Sequence, residues 1–143
     1  MRLTPLLLLL ALCGCLAVSF RRPQTVEESL KERGLRDYYL DVKNAFALGD
    51  AQALAALFDP AITKPMTRAQ VLAWGNKFFA EHGAARFHIE KLEVLELGYR
   101  HGLTRLTYKV ETKSGKGDFG GVELDTFTRR SGRWLMTSWE KVP

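Results

Sequence analysis

Ala45-Phe46-Ala47-Leu48-Gly49-Asp50-Ala51-Gln52-Ala53-Leu54-Ala55-Ala56-Leu57-Phe58-Asp59-Pro60 is the stretch whose reading decides the fold. Gly49 is free to take the left-handed conformation that ends a helix, and Asp50 can accept backbone N–H bonds as the N-cap of the next, so two helices meet at one abrupt corner. Phe58-Asp59-Pro60 stops the second helix, because proline offers no N–H to the helical ladder and biases its predecessor away from helical angles.

Upstream, Leu35, Tyr38, Tyr39, Val42 and Phe46 recur at helical spacing and define a buried stripe. Thr25-Val26-Glu27-Glu28 has the capping-box pattern that opens this first helix. Gly34 weakens its middle and predicts a kink there. Lys31, Glu32, Arg33, Arg36 and Lys43 form its solvated face.

Downstream of Pro60, Ile62-Thr63-Lys64 is long enough only for a short edge strand. Thr67-Arg68-Ala69-Gln70 repeats the capping-box logic and opens a third helix, with Val71, Trp74, Phe78 and Phe79 as its inward set and His82-Gly83 at its end. The period then changes from 3.6 to 2, the signature of strands, over residues 86–97, 103–112, 119–129 and 133–142. The separators are Gly- and Ser-rich, so neighbouring strands pair antiparallel as a meander. Gly120-Gly121 is the expected bulge that bends the sheet.

Parity sorts the strand residues onto two faces. Thr104, Leu106, Tyr108 and Val110 share the helix-facing side of their strand. In the next, Val122, Leu124, Thr126 and Thr128 alternate against Glu123, Asp125, Phe127 and Arg129. In the last strand Trp134, Met136, Ser138 and Glu140 alternate against Leu135, Thr137, Trp139 and Lys141. Both sets there carry apolar bulk, so parity alone leaves that strand's facing open.

The N-terminus carries an address. Met1-Arg2, the apolar run Leu6 to Leu12 and Cys13-Gly14-Cys15 read as an export signal, since the run is shorter than the about 20 residues a permanent membrane span requires. Leu12-Cys13-Gly14-Cys15 resembles a bacterial lipobox, with Cys15 as the lipidated first residue. The expected organisation is a lipoprotein-type signal peptide over residues 1–14, a lipid-anchored tether over 15–24 and one domain over 25–143. The alternative is ordinary cleavage after Ala17-Val18-Ser19, giving a secreted or periplasmic soluble protein. Either way the mature domain has no thiol for a disulfide, a metal site or a nucleophile. The net charge of +5 and pI near 9.4 suit a neighbour of anionic lipid. Nucleic acid is not an expected partner of an exported chain.

Motifs for other chemistries are missing. His82, His88 and His101 lack metal-ligand spacing and there is no His-Glu-x-x-His helix, so no metal is expected. Ser114-Gly115-Lys116-Gly117 lacks the phosphate-loop frame and reads as a hairpin turn, and there is no Gly-x-Ser-x-Gly elbow. Arg129, Arg130 and Arg133 surround one turn and can meet an anionic partner, and solubility and edge protection explain them as well.

This succession, a long helix, a Gly-Asp corner, a short Ala/Leu-rich helix ending in Phe-Asp-Pro, a third helix and four strands closing on a Trp-bearing one, resembles the nuclear transport factor 2-like superfamily. That group includes ketosteroid-isomerase-like and polyketide-cyclase-like domains. The resemblance covers nearly everything after residue 24. It implies an α+β fold in which three N-terminal helices pack in the concave face of a curved, mainly antiparallel sheet, a cone-shaped α+β barrel whose mouth is the pocket.

The candidate ligand-binding residues in such a cone are Tyr39, Trp74, Phe78, Tyr108, Met136, Ser138 and Glu140. The candidate catalytic groups are Glu140, Tyr108 and Tyr38: a carboxylate in apolar surroundings is tuned toward general-base work, and a tyrosine hydroxyl stabilises an enolate oxygen. Relatives of the ketosteroid-isomerase type use a tyrosine on the first helix, a role open to Tyr38 or Tyr39. Asp59 is the nearest match for their base, but a helix-stop role suffices for it. Relatives also dimerise through the outer sheet face, where Phe127 with Trp139 or Leu135 is the expected patch. Two functions follow: non-catalytic binding of a small apolar ligand or protein partner, which is preferred, or a cofactor-free isomerase-, cyclase- or dehydratase-like enzyme. Neither calls for a cofactor.

Overall fold

The computed structural model describes residues 26–143, apart from the side chains of residues 27–29; the signal segment, Cys15, the tether and the Thr25 cap lie outside the described residues. Three helices, α1 (Val26–Leu48), α2 (Ala51–Ala56) and α3 (Arg68–His82), precede four strands, β1 (Arg86–Leu97), β2 (His101–Glu111), β3 (Phe119–Arg130) and β4 (Arg133–Val142). The strands form one antiparallel sheet in the order β1-β2-β3-β4. This is the expected α+β meander with its helices on the concave side.

The corner between α1 and α2 is built as its residues dictate. Gly49 has φ +64°, and the Asp50 carboxylate accepts the Ala53 N–H at 2.9 Å. At α3 the capping box is complete: Thr67 Oγ1 accepts from the Gln70 N–H, and Gln70 Oε1 accepts from the Thr67 N–H.

α1 is one continuous helix through Gly34. Glycine serves another purpose at this position: a Cβ on residue 34 would lie 3.0 Å from Cδ1 of the Trp134 indole. α2 stops at Ala56, and the segment after it joins the sheet. The Met136 N–H donates to the Leu57 carbonyl and the Asp59 N–H donates to the Met136 carbonyl, a short parallel bridge on the β4 edge. Ile62-Thr63-Lys64 forms no strand, and Ile62 is buried in the loop.

The bulges are not at Gly120-Gly121. The β2–β3 ladder runs in continuous register, and Gly120 is required for close approach, since a Cβ there would lie 2.5 Å from the Tyr108 carbonyl oxygen. Register shifts fall in β1, between Ile89 and Lys91 and between Val94 and Glu96, and in the β3–β4 ladder at Thr126/Phe127. In that last shift Thr126 pairs with Ser138 but Phe127 pairs with Met136, so Thr137 is the extra residue. One added residue exchanges the faces of everything beyond it.

The inner face therefore carries Trp134 and Met136 before the bulge and Trp139 and Lys141 after it, while Ser138 and Glu140 point the other way. On β3 the inward set is Glu123, Asp125 and Phe127, all buried. Phe127 is fully enclosed, edge-on to the Tyr38 and Tyr39 rings. The outer patch expected from Phe127 and Trp139 is thus replaced by two inward-facing aromatics. The α1 stripe Leu35, Tyr38, Tyr39, Val42 and Phe46 packs in one core with Leu106, Val110, Phe127 and Met136. Among the described residues no helix is long and apolar enough to cross a membrane.

Candidate functional site

A cleft of about 430 Å³ opens between the helices and the inner sheet face. Its walls are mostly aromatic. Trp74 stacks on Phe78 with ring centroids 5.1 Å apart, Phe87 stacks on Tyr108 at 5.2 Å, and Phe119 meets Trp74, Phe78 and Tyr108 edge-on. Phe46, Leu54, Met66, Val71, Met136 and Trp139 add to the apolar lining. The ionisable or polar side chains exposed to it are Tyr108, Glu123, Lys141 and His82. This composition, a wide apolar surface with few convergent polar groups, is that of small-molecule sites.

The chemistry of the cleft centres on Glu123. Residues 123 and 125 lie two apart on β3 and so share its inner face. Asp125 is fully buried, and its Oδ2 accepts the Tyr39 hydroxyl at 2.5 Å. Tyr39 has one proton to give, so the Thr104 hydroxyl, 2.6 Å away, donates to the Tyr39 oxygen. Burial, and then the charge of Glu123, push the Asp125 carboxyl well above the usual carboxylate range.

Asp125 Oδ1 has no partner that supplies a hydrogen. Both facts disfavour the ionised form of Asp125 in this dry setting. Glu123 is itself raised by burial, and the donors Tyr108 and Asp125 and the charge of Lys141 oppose that rise. Burial and the Glu123 charge also push the Tyr108 hydroxyl above its ordinary value. The polar line from Thr104 through Tyr39 and Asp125 thus ends at Glu123, which faces the cleft. Burial raises both carboxyls, and the charge of Glu123 further opposes ionisation of Asp125.

The expected site residues are only partly gathered here. Trp74, Phe78, Tyr108 and Met136 line the cleft. Tyr39 stands behind it, committed to Asp125 and Thr104. Tyr38 is buried with its hydroxyl unpartnered and does not reach the lining. Ser138 and Glu140 are on the far face of β4 and Glu140 is exposed, because Thr137 reverses the parity that placed them inside. Sequence reasoning missed Glu123, Asp125, Trp139 and Lys141. The available signal was Phe127, a large apolar residue of β3 that shares the parity of Glu123 and Asp125.

Asp59 has a structural task. Its carboxylate is buried, accepts the Ala61 N–H at 2.8 Å and pairs with Arg130 Nε at 2.5 Å, pinning the post-α2 segment to the β3–β4 turn. His88 pairs with Glu111 and His101 with Glu96. No group of three metal-ligating side chains occurs among the described residues.

No family model and no curated protein matches the sequence. Solved structures do match the fold. A single-site variant of Rv3472, a protein of unknown function from Mycobacterium tuberculosis, superposes with a TM-score of 0.70 at 12% identity, over 81% of this chain and 73% of its own. A protein of Novosphingobium aromaticivorans assigned as a scytalone dehydratase gives 0.68 at 14% identity, over 83% and 89%. One of Streptomyces avermitilis assigned as a dehydratase of the NTF2-like family gives 0.60 at 16% identity, over 80% and 98%. Identities this low speak for architecture alone: the chain has the fold of the nuclear transport factor 2-like proteins.

Proposed function

We propose that this chain is a binding domain for a small, largely apolar molecule with one polar end, held in the aromatic cleft with that end at Glu123 and Tyr108. The observation that carries this reading is the cleft itself: about 430 Å³ of mostly aromatic and aliphatic surface on which a carboxyl and a phenol converge. Flat rings suit the stacked Trp74–Phe78 and Phe87–Tyr108 pairs. Glu123 accepts a hydroxyl from the ligand, and Lys141 and His82 complement a carbonyl or carboxylate. The cellular setting proposed is the cell envelope, with attachment through a lipid on Cys15 rather than release after ordinary cleavage.

The experiment is native mass spectrometry of the full chain extracted gently from membranes, followed by titration of the released molecule against tryptophan fluorescence. A bound small molecule whose binding is weakened by Trp74→Ala and Glu123→Gln, and not by Glu140→Gln, is the expected result. An empty protein that no apolar library compound stabilises overturns the reading. Cys15→Ser moves the protein from the membrane to the soluble fraction if the lipid is the anchor.

A second reading rests on the Asp125–Glu123 pair. A desolvated carboxylate backed by a neutral acid is poised to take a proton from carbon or oxygen and return it, without a cofactor. On this reading Glu123→Gln abolishes turnover of the identified ligand while leaving its binding within a few fold, which separates enzyme from binder.

A further inference from the structure

One pole of the domain combines clustered arginines, exposed apolar side chains and the exit of the N-terminal segment. In a meander the β1–β2 and β3–β4 turns lie at the same end of the sheet. Here they are tied together by the Arg129 N–H donating to the Arg100 carbonyl at 2.9 Å. Tyr99, Arg100, Arg129, Arg130, Ser131 and Gly132 surround an open hollow of about 460 Å³, and Arg133 follows directly.

Of these arginines, Arg130 is held by Asp59. Arg100, Arg129 and Arg133 meet no carboxylate among the described residues, and Arg129 Nε is buried without an acceptor. The nearby acids Glu32 and Glu96 are engaged with Arg36 and His101.

The first turns of α1 cover the same pole. Lys31 Nζ sits 5.3 Å from the centre of the Tyr99 ring, Gly34 abuts Trp134, and Leu35 abuts Gly102. Three large apolar side chains are exposed there: Val26 at 78%, Leu30 at 56% and Tyr99 at 66%. The chain before Val26 carries the apolar run Leu6 to Leu12, then Cys15 and Arg21-Arg22. The residues from Cys15 to Val26 reach at most about 40 Å when extended. The chain that would carry a lipid or apolar anchor joins the domain at this pole, at the start of α1.

We propose that the arginine pole docks on an anionic phospholipid surface, with Arg100, Arg129 and Arg133 facing headgroup phosphates and Tyr99, Val26 and Leu30 at the level of the interface. Arginine forks match phosphate oxygens, and exposed aromatic rings favour the headgroup region. The docking is independent of what the aromatic cleft binds.

The test uses the full chain carrying Cys15→Ser, so that no lipid contributes to binding, in flotation with phosphatidylcholine vesicles and with vesicles containing phosphatidylglycerol. Binding to the anionic vesicles is expected to exceed the neutral ones by about threefold or more and to converge on them at about 0.5 M salt, where charges are screened. Arg100→Gln with Arg133→Gln, both exposed positions, at least halves that preference. Arg100→Lys with Arg133→Lys retains it, and Lys113→Gln with Lys116→Gln, at the opposite end, leaves it unchanged. Circular dichroism confirms that each variant is folded. No preference for anionic vesicles, a preference that follows Arg21 and Arg22 alone, or equal loss with the Lys113 and Lys116 variant overturns the proposal and leaves the pole to an acidic protein partner.

Discussion

Tyr39 on α1 gives its hydroxyl proton to Asp125 on β3 across the interior of the domain, at 2.5 Å, and both residues are buried. This contact joins the first helix to the third strand at the only fully enclosed carboxyl of β3. It separates two adjacent tyrosines that look equivalent in the sequence, since the hydroxyl of Tyr38 has no partner.

The pair predicts opposite responses to the same change. Tyr39→Phe leaves Asp125 Oδ2 and Thr104 unpartnered and lowers unfolding free energy by about 1–3 kcal/mol. Tyr38→Phe removes a buried hydroxyl that makes no hydrogen bond, and it is neutral or stabilising. Urea denaturation of the two variants beside the parent measures the contrast.

Asp125 also predicts an unusual pH profile. Its carboxyl is raised in the folded state, so the stability that protonation provides is fully present below the ordinary unfolded value, near about 4, and is lost as pH rises through the folded value. Glu123, raised by the same burial, adds in the same direction. Asp125→Asn keeps an acceptor for Tyr39 and a donor for Glu123 without titrating. Its stability at neutral pH equals or exceeds the parent's and depends less on pH between about 4 and 8, as urea melts across that range will show.

Gly34→Ala tests why α1 contains a glycine. In an exposed helix the change gains about 1 kcal/mol from propensity. Here the new methyl carbon meets Trp134 Cδ1 at 3.0 Å and Nε1 at 3.1 Å. The expected outcome is a net loss of about 1 kcal/mol or more and a shifted Trp134 fluorescence maximum.

At Asp59 the larger penalty belongs to the carboxylate. Asp59→Ala removes the acceptor for Ala61 N–H and the partner of Arg130 at once, whereas Arg130→Ala removes a side chain that is 60% exposed. Asp59→Ala is the more destabilising of the two in thermal melts, and it loosens the post-α2 segment on β4 as read by amide exchange.

The legible part of this protein is local. Gly49 beside Asp50, Thr67 three before Gln70, and the switch to alternation after Gly83 each act within a turn or two, so helices, strands and their order follow from neighbours along the chain. The candidate site was legible only where local and tertiary logic agree. Trp74 and Phe78 belong to a helical stripe, and Tyr108 to a strand with a single bulky face.

What the sequence by itself determined is therefore the succession of three helices and four strands, the α+β meander and the aromatic wall on α3 and β2. What only the tertiary structure decided is which carboxylate meets that wall. Thr137 occupies an extra place opposite the Thr126/Phe127 step, and this sends Trp139 and Lys141 inward and Ser138 and Glu140 outward. A bulge is set by how two strands pair over a curved core, not by the alternation of one strand. Glu123 and Asp125 are held inside by partners far away in sequence, Tyr39 among them, whose contribution exists only once the chain has folded.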